Sequence, residues 1–461
     1  MFRLVAPLLL IALASSAAPP AREPQTDPRL KKSFRRPDQN GWIFVRLEGT
    51  PSEVGYQHGY WLAPEIQDTF RVLQAGLMHD SKKDWTFFRG AAEKVLWPHV
   101  EAQYREELKG IVEGLKARGG KLDVVDIVAM NAWLELSPYY TNWYDKDHKP
   151  TPEHCSAFVA TGSYTKDGKV VIAHNNWTEY KEGSRWNIVF DISPSQGHKF
   201  IMDGMPGLIH SGDDFGINDA GLAITETTIG YFSAFDPKGI PEFVRARKAM
   251  QYATSIAEFS EIMKAGNNGG YANTWLLADS KTNEIGSLEL GLKNVTLQTS
   301  KDGYFVGSNF PANPKLISEE TDFPAKDMSI SANARHVRWD RLMTENKGTI
   351  DVAAAQRFMA DHYDSYARKT DPSERTLCGH IELSGRGSKP WQPEYGIAGA
   401  VQNKAADATM VSNRSFTAAM GHSCGLDFHA SEHLKEHPEF AWQKDILRDL
   451  LSRPWTTFRA E

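Results

Sequence analysis

A cysteine and a group of polar side chains stand at a spacing suited to nucleophilic chemistry in the stretch 154–180. Cys155 precedes a run of small, β-branched and apolar residues, and the pair Asp167-Gly168 is a strong hairpin-turn signal because glycine adopts positive φ readily. A second apolar run then ends at His174. A hairpin of this length returns the end of its second strand to the start of its first. The sequence therefore predicts that Cys155 and His174 lie close together.

The position of Cys155 at the first residue of a strand is typical of an N-terminal nucleophile. If the His154–Cys155 bond is cut, Cys155 acquires an α-amine with a pKa of about 7.7–8.0, which can act as the base for its own thiol. Two other interpretations stay open from these residues. A free cysteine is often a small buried hydrophobic residue. A papain-like protease would instead use Cys155 with a remote histidine as base, although the hairpin context argues against it.

Several motifs resemble those of the phospholipase B-like proteins, and one resembles the acyltransferases related to acyl-CoA:6-aminopenicillanic acid acyltransferase, of the peptidase C45 type. Both groups belong to the Ntn-hydrolase superfamily, and the resemblance runs from about Gly55 to the C-terminus. The motifs of the first group are Cys155-Ser156-Ala157, His174-Asn175-Asn176-Trp177, Ser211-Gly212-Asp213-Asp214-Phe215 and Glu226-Thr227-Thr228, and that of the second is Gly216-Ile217-Asn218-Asp219-Ala220-Gly221-Leu222. The resemblance implies an α+β fold, an αββα sandwich, and a cut before Cys155 that yields two chains from one precursor.

The resemblance also implies roles for residues around the nucleophile. Asn273 matches the family's asparagine before a strand and would donate to the oxyanion, although an asparagine at such a position is otherwise a turn residue. His174 would orient the amine or bind substrate, and is otherwise a structural group at a strand end. Asn175 and Asn176 stand where other Ntn amidases carry Arg or Asp, so that charged orienting pair is absent. The other residues expected at the substrate or the oxyanion are Asn176, Trp177, Asp213, Thr227, Thr228 and Arg335.

Two pairs of charged residues admit more than one interpretation. Asp213-Asp214 resembles the family's acidic pair, but paired carboxylates also occur in glycosidases and metal sites. If this segment is a strand, the two side chains point to opposite faces and do not share a role. Arg335 and Arg338 lie one helical turn apart, and they either bind a carboxylate or phosphate group or form a solvated helix face.

Length and composition indicate a globular protein with a substantial core. The chain has 461 residues, 41% hydrophobic and 24% charged, and its net charge of −6 gives no basic surface for nucleic acid. Residues 1–18 resemble a signal peptide, with Arg3 before a short apolar run. We therefore expect an exported protein, secreted or periplasmic, without a transmembrane segment. The expected divisions are a flexible leader over 19–45, a helical N-terminal segment over 46–154 and a catalytic domain over 155–461.

Secondary-structure signals separate a helical part from a strand-rich part. A capping box at Thr50 and Glu53 begins a mainly helical region over 50–135. Residues 139–154 are expected to form an exposed loop, where a cut would not break a core. Strands and helices mix after Trp177, and residues 440–450 are predicted to form a terminal helix. Strands clustered with helices on either side suit a layered α+β domain.

The three cysteines are Cys155, Cys378 and Cys424. In an oxidising compartment an odd number leaves one thiol over. The simplest division pairs Cys378 with Cys424, and the alternative is that the late cysteines are simply buried. A second cluster, with His429 and His433 four residues apart near His422 and Cys424, lacks the H-E-x-x-H pattern of zinc proteases. We therefore expect no metal and no cofactor.

These features together predict an exported, self-processing hydrolase or acyltransferase. It would cleave acyl amide or ester bonds, phospholipids included, through a thioester on Cys155. The expected partner is a small-molecule acyl substrate. The alternative from another class is a catalytically inert lipid- or peptide-binding protein on the same fold, and an uncut chain with full structure would support it.

Overall fold

The protein is described by a computed structural model over residues 27–147, 155–213, 215–388 and 392–461. The predicted signal segment 1–18, His154 of the predicted cleavage site and Asp214 of the acidic pair lie outside these described residues. Within the described part of the chain, no helix combines the length and the apolar character needed to cross a bilayer.

Strands of the described segments form two large sheets and one small hairpin. In chain order they are β1 (Phe34–Arg35), β2 (Ile43–Gly49), β3 (Ser156–Thr161), β4 (Val171–Glu179), β5 (Ile188–Pro194), β6 (Phe200–Gly204), β7 (Gly216–Asn218), β8 (Leu222–Thr228), β9 (Asn273–Asp279), β10 (Glu284–Leu290), β11 (Val295–Ser300), β12 (Gly303–Gly307), β13 (Tyr363–Asp364), β14 (Lys369–Thr370), β15 (Ala398–Asp407), β16 (Ser415–Met420) and β17 (Thr456–Arg459). The first sheet has the order β1-β2-β5-β6-β7-β8-β9-β10-β11, and β2 and β5 are its parallel pair. The second sheet has the order β12-β3-β4-β15-β16-β17, and its strands are antiparallel to their neighbours.

Helices cover the outer face of each sheet. In chain order they are α1 (Pro51–Trp61), α2 (Ala63–Ser81), α3 (Trp85–Ala91), α4 (Ala102–Ala117), α5 (Val124–Asn131), α6 (Thr141–Asp145), α7 (Tyr180–Gly183), α8 (Glu242–Tyr252), α9 (Ile256–Lys264), α10 (Pro314–Glu320), α11 (Ser331–Glu345), α12 (Val352–Met359), α13 (Ala408–Ser412) and α14 (Ala430–Glu436). Side chains of α1, α2, α4, α5, α8 and α9 pack on the nine-stranded sheet. Those of α11 and α12 pack on the six-stranded sheet.

Strand β3 shows why both faces of a sheet are apolar. Successive side chains of a strand point to opposite faces. Ala157 and Val159 therefore pack between the two sheets, whereas Phe158 packs outward against Trp339 of α11. The order of layers is helix, sheet, sheet, helix, and the predicted αββα sandwich is confirmed.

The contact between α1 and α4 is unusually close because each helix presents two glycines to the other. A Cβ atom added at Gly59 would lie 2.0 Å from the backbone oxygen of Ile111, and one added at Gly114 would lie 2.1 Å from that of Tyr56. The two helices therefore pack backbone to backbone. The capping box predicted at the start of α1 is present, with Thr50 as the N-cap residue.

Three segments differ from their predicted states. Part of the expected flexible leader is folded, because β1 pairs with β2 and Phe34 stacks on Phe44. The expected loop after residue 139 is helical through α6, since its aromatic side chains pack on one another. Residues 440–450 form a 3₁₀ turn and then a bridge between Phe428 and Leu450 instead of an α-helix.

Candidate active site

Cys155 stands immediately before β3, at the position that the hairpin prediction gave it. Strands β3 and β4 pair antiparallel, with Ala157 opposite His174 and Ser156 opposite Asn175. The predicted hairpin is therefore confirmed. Cys155 has φ of 78°, a left-handed conformation that non-glycine residues rarely adopt. Such a conformation costs about 1–3 kcal/mol and persists where the surrounding structure enforces it.

Polar side chains surround the Cys155 thiol, which is 1% exposed. The thiol points toward Asn176 Oδ1 at 3.7 Å and toward the backbone oxygen of Trp177 at 4.0 Å. A ring nitrogen of His174 and a carboxyl oxygen of Glu226 lie with the sulfur in a group whose members are all within 4.8 Å of one another. Thiol, imidazole and carboxyl group therefore meet at one buried point.

Arg335 anchors the backbone of Cys155. Its Nη1 donates to the backbone oxygen of Cys155 at 2.5 Å and to Ser156 Oγ at 3.0 Å. Its Nη2 donates to Asn309 Oδ1 at 2.7 Å, and its guanidinium lies 4.4 Å over the ring of Trp177. Arg335 is fully buried, so the interpretation that it belongs to a solvated helix face is wrong. The guanidinium is already engaged in holding Cys155, which disfavours its use as a substrate ligand.

Asn309 extends this anchor to the other sheet. Its side-chain nitrogen donates to the backbone oxygen of Thr228, at the end of β8, at 2.7 Å. Arg338, the second arginine of the predicted pair, bonds Asp361 at 2.8 Å instead. The two arginines, one turn apart, therefore have unrelated partners.

Burial controls the protonation of the two central groups. Burial, followed by the nearby carboxyl group of Glu226, raises the pKa of the Cys155 thiol well above its ordinary value. Burial also lowers the pKa of His174 to about 3, and the nearby Lys404 ammonium adds to the effect. His174 is therefore neutral at physiological pH and is a poor proton acceptor there. The two pKa shifts disfavour a thiolate–imidazolium pair of the papain type.

A buried lysine and two carboxylates lie behind His174. Lys404 pairs with Asp203 at 2.9 Å and also with Asp213, while Gln402 donates to both carboxylates. Burial raises the pKa of Asp203 to about 8, with Asp213 adding to the rise. Burial acts against ionisation of Asp213 too, but Lys404 outweighs it and holds the pKa of Asp213 below its usual value. Asp213 Oδ2 lies 3.8 Å from His174 Nδ1, beyond hydrogen-bond distance, so the carboxylate is an electrostatic neighbour of the imidazole.

Strands β8 and β9 carry the predicted oxyanion residues. Thr228 is the register partner of Asn273, and Thr227 packs against Gly307, which pairs with Ala157 near Cys155. The hydroxyls of both threonines and both amide atoms of Asn273 are buried and have no hydrogen-bond partner among the described residues. A buried polar group without a partner is costly, so these groups call for a partner such as water or a bound molecule.

A cavity of about 690 Å³ adjoins this cluster. The strands contribute Thr178 and Thr228 to its wall, and Tyr271 lines it just before β9. Tyr271 donates to Glu226 at 2.9 Å, so one residue separates the cavity from the group around the thiol. Its helical wall includes Trp133, Leu134, Pro138 and Tyr139. The cavity is large enough for a small-molecule substrate with an apolar part.

The outward side of β4 faces a different part of the chain. Asn175 Nδ2 and Trp177 Nε1 both donate to the backbone oxygen of Leu377, at 2.8 and 3.3 Å. Trp177 therefore contributes its backbone to the thiol environment and its ring to the packing around Arg335. The predicted contact of its side chain with substrate stays a prediction.

The predicted disulfide is not formed. Cys378 and Cys424 are both free cysteines, and each sulfur lies 3.5 Å from Nε2 of His380. The histidines of the C-terminal cluster also separate, because His429 and His433 lie on or next to the exposed helix α14. Cys424 instead approaches residues that are more than 40 positions earlier in the sequence.

Several central residues have no local signal in the sequence. Glu226 belongs to a quoted motif, but no role could be attached to it before β8 was placed opposite β3 and β4. Lys404, Asp203 and Asn309 come from separate strands and loops. A lysine inside a largely buried strand such as β15 is a pattern that indicates a partner carboxylate.

Comparison with known proteins identifies relatives of this chain. The family model described as Phospholipase B matches residues 77–453. An uncharacterized protein of Archaeoglobus fulgidus is 26% identical over 317 residues, which cover 64% of this chain and 50% of that protein. The putative phospholipase B-like 1 of Caenorhabditis elegans is 24% identical over 331 residues, which cover 65% of this chain and 56% of that protein. The chain thus spans about half the length of the curated relatives it matches.

A solved structure also shows similarity. It is a mutant conjugated bile acid hydrolase from Clostridium perfringens, with a TM-score of 0.33 and 11% sequence identity. The match covers 57% of this chain and 88% of that chain.

Proposed function

The chain belongs to the phospholipase B family, and on this premise we propose that it is an exported, self-processing N-terminal-cysteine hydrolase. It would cleave acyl amide or ester bonds, phospholipids among them, through a thioester on Cys155. The observation that carries the proposal is the buried group of Cys155, His174 and Glu226 at the start of β3, with the Cys155 backbone held by Arg335.

The first step would be cleavage of the bond before Cys155. The sulfur adds to the carbonyl carbon of residue 154, the carbon–nitrogen bond breaks, and the departing nitrogen takes the thiol proton. Water then hydrolyses the resulting thioester, which leaves a new carboxylate and a free α-amine on Cys155. The left-handed φ of Cys155 supports this step, because φ involves the carbon that is cut away and the strain of about 1–3 kcal/mol is released.

Cleavage would also supply the base for the hydrolytic reaction. An α-amine titrates at about 7.7–8.0, whereas His174 has a pKa of about 3. A base is effective when its pKa lies near the working pH. The amine of Cys155 is therefore better suited than His174 to take the thiol proton when the sulfur attacks the acyl carbon. His174, beside Asp213, acts in orientation.

Two buried amides are suited to stabilising the oxyanion. The Nδ2 atoms of Asn273 and Asn176 have no hydrogen-bond partner within the described segments, and Asn176 already contacts the thiol through Oδ1. The oxygen of the tetrahedral intermediate would accept from them, and collapse would expel the amine or alcohol. Water would then release the acyl group from sulfur as a carboxylate. Preorganised donors of this kind contribute about 2.7–4 kcal/mol each.

Intact mass and N-terminal sequencing test the proposal, on wild type beside Cys155→Ala. We expect two fragments from wild type, one beginning at Cys155, and one uncut chain from the variant. Cys155→Ser is a control that keeps a weaker nucleophile and should process slowly. The fragments should stay associated on gel filtration, because β2 and β5 pair in one sheet across the cut.

Substrate screening follows on the processed protein. N-acyl amides and lysophospholipids are offered in parallel, with release of the fatty acid as the signal and Cys155→Ala as the blank. An uncut, fully folded wild type without acyl release would refute the hydrolase. A catalytically inert binding protein would then be the better description.

A further inference from the structure

Four metal-ligating side chains converge on the side of β4 that faces away from the nucleophile. His362, Cys378, His380 and Cys424 each offer one ligand atom, and all four atoms lie within 4.8 Å of one another. They come from three segments: after α12, before β15 and after β16. Cys378 and His380 are fully buried, and His362 and Cys424 are partly buried. Two sulfurs and two imidazoles are a donor set typical of structural zinc.

The distances fit a tetrahedral ion. Zinc binds sulfur at about 2.3 Å and histidine nitrogen at about 2.0–2.1 Å, so a sulfur and a nitrogen ligand stand about 3.6 Å apart in a tetrahedron. Nε2 of His380 lies 3.5 Å from the sulfur of Cys378 and 3.5 Å from that of Cys424. Nε2 of His362 is buried and has no hydrogen-bond partner among the described residues. A metal ion would supply the missing partner.

A second layer of hydrogen bonds orients His380. Its Nδ1 pairs with Glu382 Oε1 at 2.8 Å, which leaves Nε2 directed at the two thiols. Glu382 is held in turn by the hydroxyl of Tyr180 at 2.5 Å, and Tyr180 contacts His422 Nε2 at 3.0 Å. A carboxylate on the far nitrogen of a ligating histidine is the usual support of a zinc site.

We propose that these four residues bind one zinc ion in a closed, structural site. Binding exchanges two thiol protons for one Zn²⁺, so the two thiolates balance the charge of the ion and two protons are released. Four protein ligands leave no open position for substrate. The soft sulfur donors favour zinc over magnesium or calcium.

The site supports the wall of the proposed active site. Gly379, which lies between the ligands Cys378 and His380, packs so tightly on Trp177 that an added Cβ would lie 2.1 Å from the ring. The preceding Leu377 accepts hydrogen bonds from Asn175 and Trp177 of β4. Strand β4 also carries His174, so an ion that fixes residues 377–380 also stiffens the strand beside the nucleophile.

Zinc binding excludes the disulfide between Cys378 and Cys424, because each sulfur would serve as a metal ligand. The proposal does not depend on the chemistry of Cys155, which lies on the other side of β4. Cys155→Ala therefore serves as a control that should keep its zinc whether or not the chain processes itself.

Metal analysis of the full chain tests the site. The protein is produced with added zinc and purified without chelator, and zinc is measured by mass spectrometry. We expect about one zinc per chain in wild type and in Cys155→Ala. Cys424→Ser should lose most of the zinc, and Glu382→Gln should weaken zinc affinity by roughly 10–100-fold. His433→Ala, in the exposed helix nearby, is the matched control and should keep the ion.

Cobalt substitution of the wild type covers the case in which a variant does not fold. Tetrahedral cobalt with thiolate ligands gives charge-transfer and intense visible bands, which zinc should abolish by competition. The proposal is overturned if wild type carries no zinc and its unreduced mass shows a Cys378–Cys424 disulfide. It is also overturned if Cys424→Ser folds and retains full zinc.

Discussion

Replacing Arg335 with lysine tests the anchor that holds the nucleophile. The guanidinium donates to the backbone oxygen of Cys155 at 2.5 Å and to the hydroxyl of Ser156 at 3.0 Å. Its other two nitrogens donate to Asn309 at 2.7 Å and to Ser331 at 2.9 Å. Lysine has one nitrogen where arginine has three in a fixed fork. Arg335→Lys therefore loses at least two of these four hydrogen bonds.

The expected effect is large. A hydrogen bond from a charged donor contributes about 1.5–3 kcal/mol, so the loss of two lowers the free energy of unfolding by about 3–6 kcal/mol. One of these hydrogen bonds holds the backbone oxygen of Cys155, the proposed nucleophile. A displacement of about 1 Å in a reacting group is enough to cost roughly 100-fold in rate. We therefore expect self-cleavage before Cys155 to slow by about that factor in Arg335→Lys.

Two assays measure these effects separately. Urea unfolding followed by tryptophan fluorescence gives the free energy, and the growth of two fragments on a gel gives the cleavage rate. Arg338→Lys is the matched control, because Arg338 lies one turn along α11 and its guanidinium bonds Asp361. We expect the control to change the cleavage rate little. Equal free energies and equal rates in the two variants would refute the anchoring role of Arg335.

Three further predictions concern the oxyanion, acid stability and helix packing. Asn273→Ala should lower kcat for acyl release by about 10²–10³-fold without lowering the unfolding free energy; an unchanged kcat would remove Asn273 from the oxyanion site. His174 has a pKa of about 3 in the folded protein and about 6.5 unfolded, so the unfolded state binds more protons in between and stability falls as the pH drops through this window. Relative to His174→Gln, wild type should lose about 1.4 kcal/mol per pH unit from roughly pH 6 to pH 4, and parallel pH profiles would contradict the buried neutral imidazole. Gly59→Ala should lower the free energy of unfolding by about 1–3 kcal/mol, because its Cβ would meet the backbone oxygen of Ile111. Gly90→Ala is the control: a Cβ there has nothing within 4 Å and should raise the free energy of unfolding by about 0.5–1 kcal/mol. Equal free energies of unfolding in the two variants would count against the close contact between α1 and α4.

Local patterns were sufficient for the hairpin at the centre of the site. The two apolar runs and the Asp167-Gly168 turn signal indicated which strands pair. The register did not follow from that turn, because residues 162–170 join the two strands and include a 3₁₀ turn at Gly162–Tyr164. The proximity of Cys155 to His174 followed from the antiparallel pairing of these two strands. The capping box at Thr50 was predictable for the same reason, since its two residues are three positions apart.

Groups that meet across the sandwich were not predictable in this way. For Arg335 the sequence left open an anion-binding role or a solvated helix face, because its helix was considered alone; its burial came from the packing of α11 on the second sheet. Lys404 pairs with Asp203 and Asp213, which lie about two hundred positions earlier in the sequence. The pairing of Cys378 with Cys424 was expected as a disulfide, because two cysteines alone do not reveal that His362 and His380 stand beside them.

The sequence by itself therefore determined the candidate nucleophile Cys155, its strand and the strand that pairs with it, since these depend on residues within one connection and two strands. Tertiary structure decided what surrounds the thiol: a neutral His174, an anchoring arginine and amide nitrogens that have no hydrogen-bond partner among the described residues. It also assembled a cluster of two cysteines and two histidines on the opposite side of β4. Burial and long-range electrostatics set those properties. Both depend on how two sheets and their covering helices pack, and that packing has no signature at any single position of the chain.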